Sequence, residues 1–304
     1  MDCELNGKTY RYVPNAWTSG IAERNAYFSL AQRVFHLNFQ PWLDSGYSNG
    51  DFSPYTLYDG DTAVSSVGVA VSRFCRRGNR RTYAQLSTVM TLPEYRGLGL
   101  NRWLMARVLE EWLVPGKCDG IYLHANDMVL DFYPQFGFVP VHEYDYTAPL
   151  RQKAGNCRRL DMANPADVQL LVEKYKACNN PFSALPIVEG VPQLLFHCTT
   201  FLQAHIYYVQ NYDAVVIAQN EEETLLCYDI YMPGMPGGSG TPADILGIIA
   251  TESTTQMRLG FPPIAAHAYN CTRITGPDTA VFTLASHPAD MFADSIIVPL
   301  LSQA

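Results

Sequence analysis

Two glycines between a strand pattern and a helix pattern form the segment of this chain with the clearest chemistry. They lie in Arg96-Gly97-Leu98-Gly99, shortly after Pro93. Glycine lets the backbone approach a ligand closely, and the unpaired N–H groups and dipole of a helix start favour a phosphate. Arg96 and Arg102 add positive charge. The segment predicts a phosphate or pyrophosphate site, and a tight turn without a ligand is the alternative.

A dinucleotide site is the nearest competitor, since it also begins with Gly-x-Gly between a strand and a helix. Its third glycine would fall at Arg102. Its ribose-binding acid would be Asp119, which stands at the start of the next strand pattern, whereas such an acid belongs at a strand end. Both departures disfavour nucleotide binding.

Alternating strand and helix patterns must position these residues, and they predict α/β or α+β layers. In the first half the predicted elements are strands over Ala63–Ser72 and Thr82–Leu92, a helix over Leu98–Leu113, a strand over Gly120–Ala125, a short helix over Asp127–Gln135 and a strand over Phe138–Tyr144. On the second of these strands the alternation lets one face pack while the other lines a cleft.

The polar, basic stretch Thr147–Arg159 has no apolar period and makes the best domain boundary. After it come a helix opened by Asn164-Pro165, strands over His205–Gln219 and Glu223–Met232, a Pro/Gly loop over Pro233–Gly240, a helix from Thr241-Pro242 to about Ser253, and strands over Gln256–Phe261 and Ala280–Ala285. This order repeats that of the first half and predicts a duplicated fold.

Length and composition agree with two folded domains. The chain has 304 residues, of which 48% are hydrophobic, and no apolar run approaches the ~20 residues that span a bilayer. Residues 1–152 hold 14 basic and 15 acidic residues, whereas 153–304 hold 7 and 14. The overall acidity argues against non-specific nucleic-acid binding, and no membrane contact is expected.

The eight cysteines include no Cys-x-x-Cys pair, so neither a zinc ribbon nor a thioredoxin-type motif is present. The N-terminus, Met1-Asp2-Cys3-Glu4, has neither the basic start nor the apolar stretch of a secretion signal. We therefore expect reduced thiols, a cytoplasmic location and no metal site.

Two motifs together give a resemblance. Arg96-Gly97-Leu98-Gly99-Leu100-Asn101 resembles the acyl-CoA signature Gln/Arg-x-x-Gly-x-Gly/Ala of the GNAT N-acetyltransferase superfamily, and it matches five of the six positions. Asn101 departs from the signature, where a small residue usually allows the closest approach to the pyrophosphate. Farther on, Tyr133-Pro134-Gln135-Phe136-Gly137-Phe138, preceded by Asn126, is similar to the family's Tyr-x-x-x-Gly-Phe segment.

The resemblance implies a tandem α/β (α+β) protein with two GNAT-like domains, each a mixed, mostly antiparallel sheet flanked by helices. Residues 1–150 would be the acyl-CoA-binding catalytic domain, with a splayed parallel strand pair, and 151–304 a degenerate copy. The Pro/Gly loop there occupies the place of the phosphate loop but lacks an Arg before its glycines.

The resemblance also implies acetyl transfer from acetyl-CoA, as co-substrate, to a primary amine on a small molecule or peptide. The strand segment Val89, Met90 and Thr91 would hold the pantetheine arm, and the amides of Gly97, Leu98, Gly99, Leu100, Asn101 and Arg102 the pyrophosphate. Asn126 would lie along the CoA arm and Tyr133 would protonate the departing thiolate. No cysteine falls in the motif to carry the acyl group, so the amine would attack directly in a ternary complex.

A primary amine with a pKa near ~10.4 must lose a proton before it attacks, so a base is required. Family members often carry a glutamate on the strand before the Asn, but here that strand reads Ile121-Tyr122-Leu123-His124. His124 is the leading candidate, and a structural histidine is its alternative. Glu143, Glu94 and a terminal carboxylate at Ala304 are weaker candidates.

An acyl-CoA-binding sensor or scaffold without turnover is the rival to an enzyme, because of Asn101 and the missing glutamate. The five arginines between Arg73 and Arg81 suggest contact with RNA or with the 3′-phosphate of CoA, or simply an exposed hairpin tip. The aromatic residues within 17–53 either wall the acceptor site or pack in the core.

Overall fold

A computed structural model of the chain describes residues 2–44, 46, 50–233 and 240–304. The strands, in chain order, are β1 (Asp2–Leu5), β2 (Lys8–Val13), β3 (Phe52–Asp59), β4 (Thr62–Arg76), β5 (Asn79–Thr91), β6 (Gly120–Ala125), β7 (Phe138–Val141), β8 (Tyr144–Pro149), β9 (Cys157–Arg159), β10 (Ile187–Val188), β11 (Ile206–Val209), β12 (Ala214–Glu221), β13 (Thr224–Tyr231), β14 (Gln256–Leu259), β15 (Asn270–Arg273) and β16 (Ala280–Leu284). The helices are α1 (Ala16–Ser19), α2 (Ile21–Phe35), α3 (Gln40–Asp44), α4 (Leu100–Trp112), α5 (Pro165–Ala177), α6 (Val191–Thr200) and α7 (Pro242–Ile249).

The first sheet has the strand order β1-β2-β3-β4-β5-β6-β16-β7, with β10 beside one end of β4. Neighbouring strands are antiparallel except β5 and β6, which run parallel. Helix α4 packs on one face, where the Trp112 indole donates to the Tyr55 hydroxyl. Helix α2 packs on the other, where the Tyr58 hydroxyl donates to the Glu23 carbonyl. Helix α6 covers part of this second face, since the Ser72 hydroxyl donates to the Gln193 side chain.

The second sheet has the order β15-β8-β14-β13-β12-β11-β9, and again only its β13–β14 pair is parallel. Both sheets are therefore mixed and mostly antiparallel, with helices around them, as predicted. Counted from their parallel pairs, each of the seven strands of the second sheet has a counterpart in the first, which has β1 as an additional edge strand. The predicted duplication is thus visible as a shared topology.

The two sheets exchange one strand each. β8 follows β7 in sequence but inserts between β14 and β15, whereas β16 inserts between β6 and β7 of the first sheet. Strand pairing therefore crosses the predicted boundary near residue 150 in both directions. The division into 1–150 and 151–304 stays a prediction, and the segment 144–149 pairs with the second half.

Several predicted elements have different limits. The predicted helix Asp127–Gln135 is instead two short 3-10 turns, Asp127–Val129 and Tyr133–Phe136, because Pro134 lacks the amide donor that would continue a helix from the preceding turn. The polar stretch Thr147–Arg159 contains the end of β8 and all of β9. The predicted strand His205–Gln219 is broken at Asp213, which has a left-handed φ of 49°. Of the predicted Pro/Gly loop, residues 234–239 lie outside the described residues.

The predicted helix over Leu98–Leu113 is confirmed as α4, which buries Leu100, Leu104 and Val108 at four-residue steps against the first sheet. Asn164 caps α5 by accepting from the Ala166 amide, as predicted. All eight cysteines are free thiols. Within the described part of the chain, the helices are too short or too polar to cross a membrane.

Candidate active site

The parallel strands β5 and β6 separate halfway along their length. They pair from Tyr83–Gly120 to Leu86–Leu123, and β6 then continues beside β16. On β5 the register with β4 shifts beyond Ser87, and Thr88 has a left-handed φ of 42°. A β-branched residue rarely adopts this conformation, which marks a local kink. The kink and the departure of β6 leave a gap between the two strands.

The backbone of β5 offers hydrogen-bonding groups to this gap. The amide of Leu92 donates to Val64 on β4, and successive residues of a strand direct these groups to opposite sides. Val89 and Thr91 therefore direct theirs toward the gap. Met90 faces β4 instead, its carbonyl accepting from the Ser65 hydroxyl and its side chain buried.

The start of α4 carries bare amides. Gly97 and Gly99 have left-handed φ values of 77° and 76°, and Gly99 caps the helix without a side chain. The first helical hydrogen bond runs from Trp103 to the Gly99 carbonyl, so the amides of Leu100 and its next two neighbours have no acceptor within the helix. Leu98, between the glycines, is partly exposed. The predicted phosphate segment is thus a helix N-terminus with glycine-shaped access.

Asn101, the residue that departs from the signature, is held against the first sheet. Its Oδ1 accepts from the Ser65 hydroxyl at 2.8 Å, and the Ser65 and Thr91 hydroxyl oxygens are 2.9 Å apart. The side chain is therefore engaged with β4 and β5. The exposed Arg102 guanidinium donates to the Gln135 side chain, which joins the helix start to the segment that holds Tyr133.

Tyr133 is buried among aromatic rings. Its ring contacts Phe132, Phe138 and Phe282. Burial raises the pKa of the Tyr133 hydroxyl to about 12, so the phenol keeps its proton at neutral pH. Within residues 2–44, 46, 50–233 and 240–304, no group hydrogen-bonds this hydroxyl. Asn126 is exposed at the end of β6, seven residues earlier in the chain.

Both ring nitrogens of His124 are engaged. Nε2 lies 3.0 Å from the Glu143 carboxylate, and Nδ1 lies 3.3 Å from the Gln85 amide nitrogen. Glu143 is buried, and its second oxygen accepts from the Val298 amide at 2.6 Å. These partners fix the tautomer with the proton on Nε2 and a lone pair on Nδ1.

The weaker base candidates lie in two different places. Glu94 is half exposed and pairs with Arg33 at 2.9 Å, on the turn that precedes the phosphate segment. The Ala304 amide donates to the Gln85 side chain at 3.1 Å, so this residue lies beside the gap and close to His124. Gln85 thus joins His124 and Ala304.

A cavity of about 250 Å³ lies next to the gap, on the face of the sheet opposite α4. Thr88 and Ala304 line the cavity, and Phe39, Trp42 and Phe196 form much of its aromatic wall. The sequence pattern over 191–200 is short, and no helix is predicted there. The residues of α6 therefore have no predicted role. A proline at the start of α6 and buried apolar residues at helical spacing indicate this helix.

Each of the five arginines in the β4–β5 hairpin forms an ion pair with a carboxylate. Its pairs are Arg73–Asp51, Arg73–Glu189, Arg76–Asp290, Arg76–Asp294, Arg77–Asp294, Arg80–Glu189, Arg81–Asp119 and Arg81–Asp290. Most of these carboxylates belong to the second half of the chain. The hairpin tip, residues 77–80, is exposed, as one of the predicted alternatives has it, and its arginines are paired with carboxylates.

The described residues fit an acyl-CoA. The gap supplies a strand edge without a partner strand, and α4 supplies bare amides for a pyrophosphate. The Ser87 hydroxyl, beside the kink, is buried and has no hydrogen-bond partner in the described part of the chain. Such a group is costly to bury unless a ligand or water satisfies it.

Comparisons with known proteins agree with this geometry. Residues 21–138 match the acetyltransferase (GNAT) family. The chain is 34% identical over 84 residues to N-alpha-acetyltransferase 50 of Danio rerio, a match that covers 27% of this chain and 48% of the relative, about half its length.

Two solved structures share the fold over nearly the whole chain. A probable N-acyltransferase from Enterococcus faecalis has a TM-score of 0.56 and 17% identity, over 91% of this chain and 72% of its own. Eis1 from Mycobacterium abscessus has a TM-score of 0.55 and 16% identity, over 90% and 72%. At these identities the similarity shows the fold alone. The family match therefore shows a GNAT acetyltransferase domain over residues 21–138.

Proposed function

We propose that this protein transfers an acetyl group from acetyl-CoA to a primary amine. The observation that carries the proposal is the gap beyond Leu86 and Leu123, together with the bare start of α4, which the Arg102–Gln135 hydrogen bond joins to the segment that holds Tyr133. Acyl transfer needs a fixed thioester, a donor for its oxygen and an acid for the thiolate. The residues around the gap supply each of these.

In the proposed complex, the backbone of Val89 and Thr91 pairs with the pantetheine arm, and one N–H is directed at the thioester oxygen. The amides from Gly97 to Arg102 hold the pyrophosphate, with Arg96 and Arg102 adding charge. Asn126 lies along the CoA arm at the end of β6. The phosphates therefore lie at α4 and the thioester in the gap.

The reaction is a direct transfer. The amine nitrogen attacks the thioester carbonyl carbon, a C–N bond forms, and the C–S bond breaks. The thiolate takes the Tyr133 proton, and solvent then returns a proton to the tyrosine. The phenol pKa of about 12 keeps this proton in place until the thiolate develops.

We assign the base to His124. Its Nε2–H is directed at Glu143, so the basic lone pair is on Nδ1, where Gln85 is a weak partner at 3.3 Å. Displacement of the Gln85 amide would open Nδ1 to the amine directly or through a water. Glu143 would stabilise the imidazolium, as a carboxylate does in other acid–histidine pairs.

A sensor that binds acyl-CoA without turnover is the second candidate. Two observations favour it, namely the engaged ring nitrogens of His124 and the polar Asn101 at the helix start. Both proposals place the protein in the cytoplasm, which the eight free thiols support.

Calorimetry with acetyl-CoA, beside a thiol-release assay on a panel of primary amines, separates the two. We expect binding and amine-dependent release of CoA. Binding without release on any amine would establish the sensor, and absence of binding would reject both proposals.

A further inference from the structure

The cavity beside Thr88 has an apolar and aromatic lining. Phe39, Trp42, Phe52 and Phe196 form its wall, with Ala70 of β4 among the other lining residues. The Trp42 indole N–H donates to the Pro192 carbonyl at 3.0 Å, so the polar edge of this ring is already engaged. A ligand bound in this cavity would therefore contact mainly carbon atoms of the lining side chains.

The aromatic wall is built from rings that support one another. The ring centroids of Phe196 lie 6.0 Å from Phe39 and 5.2 Å from Trp42, and those of Phe39 and Phe52 are 6.0 Å apart. Such pairs stabilise their arrangement beyond simple burial. The wall is thus preorganised for a flat apolar group.

The charged residues of the lining are already paired. Arg73 lies 2.8 Å from Asp51 and 3.9 Å from Glu189, and Glu189 also pairs with Arg80 at 2.6 Å. Burial lowers the pKa of His197 to about 4 and so keeps the ring neutral, although the contact of its Nε2 with the Gln303 carbonyl at 3.0 Å acts in the opposite direction. A ligand with several ammonium groups would find each described carboxylate of the lining already bound to arginine.

Two parts of the cavity lining suit an acceptor. The lining includes Thr88 at the kink beside the gap, whose hydroxyl lies 3.3 Å from that of Tyr27. Phe201, also in the lining, is 54% exposed, so the cavity reaches the surface away from the start of α4. The volume of about 250 Å³ is below the ~300–1,000 Å³ of sites for drug-sized ligands. It suits one ring on a short linker.

We propose that the acceptor is a small primary monoamine carried on an aromatic ring, with the ring in this cavity and the amine beside Thr88. This inference rests on the proposed function, since it names the substrate class of the same site. The cavity would select the substrate through apolar contact, and the amine would reach the thioester through the gap.

The test compares phenethylamine and tryptamine with ethanolamine and spermidine as acceptors. We expect kcat/KM at least tenfold higher for the two aryl amines. Phe196→Ala should lower kcat/KM for phenethylamine at least tenfold, mainly through KM, with KM for acetyl-CoA unchanged. Phe35→Ala is the matched control, because Phe35 is 40% exposed on α2 and does not line the cavity. It should change neither constant.

A second variant keeps the test valid if Phe196→Ala does not fold. Ala70→Leu fills the cavity without removing a ring, and it should weaken phenethylamine while acetyl-CoA binding is retained. Equal or better turnover of spermidine, or of peptides in place of phenethylamine, would overturn the proposal. So would a Phe196→Ala enzyme whose changed preference lies in acyl-CoA chain length, since the cavity would then hold the acyl group.

Binding separates this proposal from the proposed function. If no amine is acetylated, calorimetry with phenethylamine on the protein saturated with acetyl-CoA still tests the cavity. Binding that Phe196→Ala abolishes would retain the cavity as an aryl-amine site although the transferase proposal fails. Absence of binding would overturn the inference.

Discussion

The two sheets of this protein share a topology but differ at the place where a ligand would enter. Each has a parallel central pair, which ends at Leu86–Leu123 in the first and at Cys227–Leu259 in the second. In both, the register with the preceding strand shifts just beyond that pair. The first sheet then opens into a gap.

The second sheet is closed at the equivalent position by its own chain. The Leu300 amide donates to the Gly260 carbonyl, and the Ala184 amide to the Pro262 carbonyl. The Asn180 side chain donates to Asp229, which lies two residues beyond the last parallel pair. The segment that follows β14 is therefore hydrogen-bonded to other parts of the protein and leaves no comparable opening there in the described part of the chain.

The N-termini of the two corresponding helices, α4 and α7, also differ in how many of their groups are already paired. α4 begins at a glycine with bare amides, whereas α7 begins with a capping box in which Thr241 accepts from the Asp244 amide and Asp244 accepts from the Thr241 amide. Lys153 pairs with the Asp244 carboxylate as well. A negative side chain thus occupies the position that a phosphate would take. The shared fold alone does not create a binding site. A site also requires backbone groups, at the helix start and in the gap, that have no partner within the protein.

The largest expected effect tests the group that the first half alone supplies. Tyr133→Phe removes the phenol and keeps the ring packing, so turnover should fall about 10²-fold or more, the usual contribution of a general acid. The dissociation constant of acetyl-CoA should stay within about twofold, because the pyrophosphate and pantetheine contacts are unchanged. Steady-state kinetics and calorimetry measure the two quantities.

The control for this variant is Tyr144→Phe, which removes a phenol from β8 in the second sheet. Its turnover should equal that of the wild type. Near-normal turnover of Tyr133→Phe would remove Tyr133 from the mechanism and leave the two halves without a chemical difference at this position.

The next effect concerns the closed half. Burial raises the pKa of Asp229 from an ordinary value of 3.8 to about 6, despite hydrogen bonds from Asn180 and the Ile230 amide. The folded state therefore binds this proton more tightly than the unfolded state. Stability from the protonated form is complete below pH 4 and is lost as the pH rises through about 6.

Asp229→Asn should remove this dependence. The variant should gain stability over the wild type between pH 4 and pH 7, by at most about 3 kcal/mol for two pKa units. Chemical denaturation at a series of pH values measures it. The pKa values of neighbouring Cys198 and Cys227 are raised by burial, so these thiols stay neutral in this range. A difference between variant and wild type that does not change with pH would contradict the assignment.

A smaller effect is expected when α4 receives an aspartate at the position that Asp244 occupies in α7. Arg102 is the third residue of α4, as Asp244 is of α7. Arg102→Asp should weaken acetyl-CoA binding about tenfold, because it replaces a cation by an anion next to the pyrophosphate. High salt should reduce the loss. Arg107→Asp, more than one turn farther along the helix, is the control with the same charge change, and equal losses in the two variants would contradict a site at the helix start.

Local patterns predict the helix start after Gly99, which the structure confirms, whereas the segment that holds Tyr133 forms short 3-10 turns in place of the predicted helix. The segment from Arg96 to Asn101 and the turn that holds Tyr133 each carry their geometry in glycines and prolines, which act over a few residues. The cavity could not be predicted in this way, because Phe39 and Phe196 come from segments that are distant in sequence. The strand exchange of β8 and β16 was hidden for the same reason, since a strand pattern does not say which sheet it joins.

The arginines of the β4–β5 hairpin show the same limit and give the smallest effect. A run of arginines predicts an exposed or anion-binding tip, but Arg76 pairs with Asp290 and Asp294, which lie more than two hundred residues away. Arg76 is only 12% exposed, whereas Arg77, on Asp294 as well, is 71% exposed. Solvent screens the second pair more strongly, so Arg77→Ala should change the free energy of unfolding by less than about 0.5 kcal/mol and Arg76→Ala by about 1 kcal/mol. Urea denaturation compares them, and equal losses would show that the hairpin joins the two halves through its strand packing and not through these charges.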